Sequence, residues 1–115
     1  IFIENYNGVL PVLKKNLQNL KAIENYKIIE KDINNGKIFE TLDKKFDIVF
    51  MDPPYKDKNL NLLLQNLENI KILNKNGIVV IHRHKNEQDI IPKNFKVIEE
   101  KRYGLSKIIF LSLLN

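Results

Sequence analysis

Asp47-Ile48-Val49-Phe50-Met51-Asp52-Pro53-Pro54-Tyr55 is a continuous apolar run that ends on a carboxylate, two prolines and an aromatic ring. Four consecutive apolar residues without polar alternation fit a central parallel strand buried on both faces. The prolines fix φ and carry no N–H, so the turn after the strand offers acceptors but few donors. Such a turn suits an exocyclic amino group: the Asp52 carboxylate and the Pro53 carbonyl can each accept one hydrogen, leaving the nitrogen lone pair free to face an electrophile. Tyr55 would stack on a base withdrawn from its helix. The competing reading is a proline-rich turn with a packing tyrosine, and the acids at other strand ends weigh against it.

Working upstream, Ile1-Phe2-Ile3 reads as a short buried strand that finishes at Glu4-Asn5. Asn7 is the expected cap of a helix whose Val9, Leu10, Leu13, Leu17 and Leu20 recur at helical spacing, with Pro11 tolerated near its first turn. Lys27 to Glu30 reads as a second strand, with Asp32 just beyond it. Asn34-Asn35-Gly36 is turn chemistry, and Lys37 to Leu42 makes at most a short helix.

Downstream, Asp57 is the expected cap of a helix with an apolar stripe of Leu60, Leu63, Leu64, Leu67 and Ile70, and Asn76-Gly77 is expected to stop it. Ile78-Val79-Val80-Ile81 is another apolar strand, leading into a polar stretch from His82 to Asp89. After Pro92, Phe95 to Arg102 and Lys107 to Leu114 form a hairpin around Tyr103-Gly104-Leu105-Ser106. Strands alternating with helices, then two adjacent strands, give an α/β fold whose sheet is parallel with an antiparallel edge.

Three strands thus end on or beside an acid: Glu4, Asp32 and Asp52. In an open α/β sheet, ligands sit outside the carboxyl ends of the strands. Glu4 reads either as an acceptor for ribose hydroxyls or as a surface acid in a turn, and Asp32 either as part of an adenine site or as another turn acid. His82-Arg83-His84-Lys85 has no recognised metal spacing. It reads as a solvated basic loop, in preference to a phosphate contact.

The 115 residues suffice for one domain, and 43% hydrophobic residues supply one core. There is no cysteine, which suits a reducing cytoplasm and leaves stability to packing. No stretch reaches the roughly 20 apolar residues of a membrane span, and the chain reads as soluble and intracellular. A net charge of +5 suits a polyanionic partner, but 17 of the 19 basic residues are lysine. Lys, Asn and Ile make up 50 of the 115 residues, so part of this basicity reflects coding bias rather than binding.

The tetrad Asp52-Pro53-Pro54-Tyr55 resembles the signature of S-adenosylmethionine-dependent amino-methyltransferases. Together with Phe2-Ile3-Glu4-Asn5, Lys15-Asn16-Leu17, the strand before the tetrad and the closing hairpin, it is similar to the bacterial family that makes N2-methylguanine in 16S ribosomal RNA. The resemblance covers nearly all of residues 1–115 as one C-terminal part of a methyltransferase domain. It implies a Rossmann-like fold, S-adenosylmethionine as cofactor, ribosomal RNA or the small ribosomal subunit as partner, and no metal or membrane. By it, Glu4 with Asn5 would hold the ribose of the cofactor, Asp32 with Ile33 would flank its adenine, and Asp52, Pro53, Pro54 and Tyr55 would grip the guanine. In that family an acid commonly ends the strand where this chain has His82-Arg83-His84, so the basic run is a departure.

The order of the parts narrows the group further. Glu4 precedes Asp52 by 48 residues, leaving no room for an inserted DNA-reading domain. The four glycines never fall in G-x-G spacing, and the chain opens on Ile1 inside a strand pattern. The resemblance therefore implies a glycine-rich turn and a first strand upstream, outside these residues, and weak or absent S-adenosylmethionine binding by residues 1–115 alone. An adenine methyltransferase and a non-catalytic Rossmann-like binding module are the other readings open at this stage.

Overall fold

A computed structural model describes residues 1–20, 24–54 and 56–114. The chain divides into two compact units, Ile1–Ile38 and Phe39–Asn115. The first contains β1 (Phe2–Ile3), α1 (Leu10–Asn19) and β2 (Ile28–Ile29). β1 and β2 pair in parallel, Phe2 opposite Ile28 and Ile3 opposite Ile29. Phe2 is exposed, against the expectation of a buried strand. An apolar run signals an affinity for cover, and the described residues do not supply enough of it here.

Of the expected apolar stripe α1 buries Leu10 and Leu17, while Val9 and Leu20 at its ends are exposed, and Pro11 stands in the first turn where its missing N–H costs nothing. Asn7 does not cap this helix. Val9 takes that position without a side-chain bond, and the Tyr6 carbonyl receives the N–H groups of both Val9 and Leu10. A 3-10 helix over Gly36–Thr41 crosses from the first unit into the second, with Ile38 and Phe39 buried.

The second unit is a four-stranded sheet with one long helix. Its elements are β3 (Phe46–Met51), α2 (Leu60–Ile70), β4 (Leu73–His84), β5 (Phe95–Tyr103) and β6 (Ser106–Leu113). The strand order is β3-β4-β6-β5, with β3 parallel to β4 and the closing hairpin antiparallel. The hairpin turns on Gly104, whose φ of 57° an L side chain rarely adopts. Period-two alternation divides the sheet. Val79, Ile81, Arg83, Lys107, Ile109 and Leu111 are buried, and so are Leu60, Leu63, Leu64 and Leu67 of α2.

The opposite face is less covered, and this corrects the reading of β3 as buried on both faces. Ile48 is 69% exposed and Phe50 63% exposed, although both are strongly apolar. β3 stands at the edge of its sheet, and among the described residues only one face is covered. α2 also starts and stops differently from expectation. Asp57 Oδ1 accepts the Asn59 N–H at 2.7 Å, forming an Asx turn, while Asn59 occupies the cap position.

Asn76-Gly77 does not stop the helix. α2 ends at Ile70, with Lys71 left-handed at φ 57°, and β4 runs straight through the Asn-Gly pair. The pair instead serves a bulge. Phe46 faces Leu73 while Ile48 already faces Ile78, so Asn74 to Gly77 oppose Asp47 alone, and Asn74 Nδ2 donates to Asp47 Oδ1 at 2.7 Å. A Cβ on Gly77 would lie 2.6 Å from Leu73 Cδ1 and 2.9 Å from the Asn74 carbonyl oxygen. Gly77→Ala is therefore expected to destabilise the fold by about 1–3 kcal/mol, since a backbone atom must shift. Urea unfolding checks this, and an alanine variant as stable as the parent would show that the bulge tolerates a side chain.

Candidate functional site at the ends of β3 and β4

β3 delivers Asp52 to the carboxyl end of the sheet, and the prolines that follow stop its ladder. Asp52 is 56% exposed on its side chain, yet it is held. His82 Nδ1 lies 2.9 Å from Asp52 Oδ1, and His82 Nε2 lies 2.9 Å from Ser106 Oγ. A carboxylate only accepts, so Nδ1 carries the hydrogen between them, and Nε2 is left facing the serine hydroxyl. The register explains the row. Met51 faces Ile81, so Asp52 comes level with His82, and His84 faces Ser106, which puts Ser106 diagonal to His82 on the same face.

The next residue of β4 points to the other face. Arg83 is fully buried, and each of its three guanidinium nitrogens has a hydrogen-bond partner. Nε donates to Asp89 Oδ2 at 2.8 Å and Nη2 to Asp89 Oδ1 at 2.9 Å, a bidentate pair. Nη1 donates to the Pro54 carbonyl at 2.9 Å, and Nη2 also reaches the Asp57 carbonyl at 2.9 Å. Glu87 Oε2 lies 3.6 Å from Nη2, and Lys107 Nζ donates to the Glu87 carbonyl. No buried side-chain nitrogen or oxygen among the described residues lacks a partner.

This overturns the reading of His82 to Lys85 as a solvated basic loop. β4 extends to His84, and of the four residues only Lys85 is exposed. Arg83 is structural cement for the tetrad turn. It grips the carbonyls of Pro54 and Asp57, which bracket Tyr55 in sequence. The Pro54 carbonyl, which also accepts the Asp57 N–H at 2.9 Å, is thus spent inside the turn. The strand parity carried the missing signal. Extending the alternation of Val79 and Ile81 by one step buries Arg83, and a buried guanidinium demands an acid such as Asp89.

The other expected site residues lie in the first unit. Glu4 follows β1 and is half-buried, its N–H donating to the Ile29 carbonyl at 3.1 Å. Asn5 beside it is exposed. Asp32 is exposed beyond β2, and its Oδ1 accepts the Asn34 N–H at 2.9 Å, with Ile33 half-buried between them. β1 and β2 are adjacent and parallel, so Glu4 and Asp32 both follow strands that finish at the same end of their sheet. Tyr55 lies outside the described residues. Among the described residues no group of three or more His, Cys, Asp or Glu is placed to hold a metal ion, and no helix is long and apolar enough to cross a membrane.

Comparison with known proteins agrees with the geometry. The profile of a family described as conserved hypothetical protein 95 matches residues 1–112. Ribosomal RNA small subunit methyltransferase D of Buchnera aphidicola is 35% identical over 89 residues, which is 77% of this chain and 46% of that protein. The protein of the same name from Haemophilus influenzae is 29% identical over 109 residues, covering 90% of this chain and 54% of its own length. The chain spans about half the length of these curated relatives. A solved structure from Haemophilus influenzae has a TM-score of 0.78 at 26% identity, covering 99% of this chain and 71% of its own. The fold is accordingly the Rossmann-like fold of methyltransferases, with its antiparallel C-terminal hairpin.

Because Arg83 pairs with Asp89 and donates to two carbonyls from a fully buried position, Arg83→Met is expected to cost about 3–5 kcal/mol. Arg83→Lys should recover little, since an ammonium cannot make the bidentate fork. Chemical denaturation measures both, and a methionine variant within about 1 kcal/mol of the parent would contradict a buried, paired guanidinium.

Proposed function

The chain belongs to the family described as conserved hypothetical protein 95, and on that premise we propose that it is part of an S-adenosylmethionine-dependent methyltransferase acting on the exocyclic N2 of a guanine in 16S ribosomal RNA. The observation that carries this reading is the Asp52-Pro53-Pro54 segment at a strand end, with the Asp52 carboxylate tied to His82 and the Pro54 carbonyl tied to Arg83. The RNA target is supported by the names of the relatives, which act on the small ribosomal subunit. The two units are taken as pieces of one methyltransferase domain.

S-adenosylmethionine, when bound, supplies a methyl group already activated by the positive sulfur. The residues of this chain need only position the acceptor. Asp52 and the Pro53 carbonyl accept the two amino hydrogens and orient the nitrogen lone pair along the line of attack. As the nitrogen bonds to the methyl carbon and the carbon–sulfur bond breaks, the nitrogen gains positive charge, and these same acceptors stabilise that charge. Tyr55 covers the face of the flipped base. Glu4 and Asn5 hold the cofactor ribose, and Asp32 and Ile33 flank its adenine. A chain of this kind works in the cytoplasm, where ribosomal RNA is processed.

The tetrad recognises an amino group rather than a particular base, so adenine N6 is the competing target. Nucleoside mass spectrometry of RNA and DNA treated with the natural gene product separates the two, with N2-methylguanine in 16S ribosomal RNA the expected product. Asp52→Ala is expected to abolish transfer while leaving S-adenosylmethionine affinity, read by calorimetry, within about twofold, because the change falls on the acceptor side alone. An active Asp52→Ala enzyme would refute the assignment of the tetrad.

A further inference from the structure

Asp52, His82 and Ser106 form a row across three neighbouring strands, β3, β4 and β6, with both hydrogen bonds at 2.9 Å. Nothing in the folding of the sheet requires this row. Asp52 lies past the end of β3 and its side chain is 56% exposed, so hydration alone would satisfy it. A carboxylate so placed can rotate among several staggered positions. His82 removes that freedom. Its side chain is only a quarter exposed, its ring is fixed at the far nitrogen by Ser106, and its near nitrogen holds Oδ1 of Asp52. Oδ2 then points away from the bond to His82 in a fixed direction.

Resting on the reading of Asp52 as the acceptor for an amino group, we propose that His82 is a positioning residue for that step, with Ser106 as its anchor. The imidazole holds the carboxylate in the one rotamer that presents Oδ2 to the substrate nitrogen. The same bond withdraws Oδ1 from competition, so the amino group meets one defined carboxylate oxygen beside the Pro53 carbonyl. His82 itself touches neither substrate nor cofactor. An acid at position 82 would repel Asp52, whereas a ring N–H orients it.

The test uses the natural gene product, S-adenosylmethionine and 16S ribosomal RNA, with turnover, the Michaelis constant and cofactor affinity measured separately. His82→Ala is expected to lower kcat by roughly 10- to 100-fold, the scale of a misplaced reacting group, with cofactor affinity and thermal melting unchanged. His82→Asn should restore most of the loss, since its amide N–H can replace Nδ1–H as donor to Asp52. Ser106→Ala, which removes only the anchoring hydroxyl, should give a smaller fall in kcat and keeps the test open if His82→Ala does not fold. Unchanged turnover in His82→Ala and Ser106→Ala, with Asp52→Ala inactive, would overturn this inference and leave the tetrad reading standing. A loss that asparagine fails to restore would likewise overturn it. An active Asp52→Ala enzyme would instead remove the reading on which it rests.

Discussion

A guanidinium cannot lie fully buried without a full set of acceptors, and the end of the sheet is arranged around that requirement at Arg83. The cost of withdrawing an ion from water is several kcal/mol, and it is offset only when charge and hydrogen bonds are both satisfied. Asp89 supplies the charge and two of the bonds; the carbonyls of Pro54 and Asp57 supply the rest. Those carbonyls belong to the turn that leaves β3, and Asp89 to the segment that leaves β4. One side chain therefore joins the two excursions that shape the site. Lys107 reinforces it from β6 through the Glu87 carbonyl.

The alternation of a strand turns this one constraint into a division of labour. His82 and Arg83 are adjacent in β4 and must face opposite sides of the sheet. Arg83 takes the buried face, where it holds the backbone of the tetrad turn. His82 takes the open face, where it meets the Asp52 side chain. Backbone and carboxylate of the same motif are thus held from the same strand by consecutive residues. The bulge at Asn74 to Gly77 matters for the same reason, because it sets the register in which Met51 faces Ile81 and Asp52 comes level with His82.

Much of this was legible from the residues. The apolar run to Met51 followed by Asp52-Pro53-Pro54 fixed both the strand and its end, and Gly104 with its flanking strands fixed the hairpin. Other features depend on partners that periodicity does not report. Ile48 and Phe50 carry the signature of burial, but burial needs a covering layer, and the described residues cover one face only. Asn76-Gly77 has turn chemistry, which the fold uses for a bulge within β4 rather than for the end of α2. Asn7 and Asp57 each stand two residues too early to cap their helices, and Asp57 closes an Asx turn instead. The charge of His82 to Lys85 marks the run as solvated, but its parity within β4 is the better guide. Charge suggests solvent; a strand already alternating between buried and half-open positions places every second residue inside.

The central claim is that a buried, acid-paired Arg83 holds the turn that leaves β3, and proton exchange at its Nε–H tests it most directly. Arg102, exposed on β5, provides the reference within the same chain. Nitrogen-edited proton NMR should find the Arg83 Nε–H protected from solvent exchange, far slower than that of Arg102, with the protection lost in Asp89→Asn. Exchange of Arg83 at the rate of Arg102 would mean that the guanidinium is open to water and that the turn is held by something else.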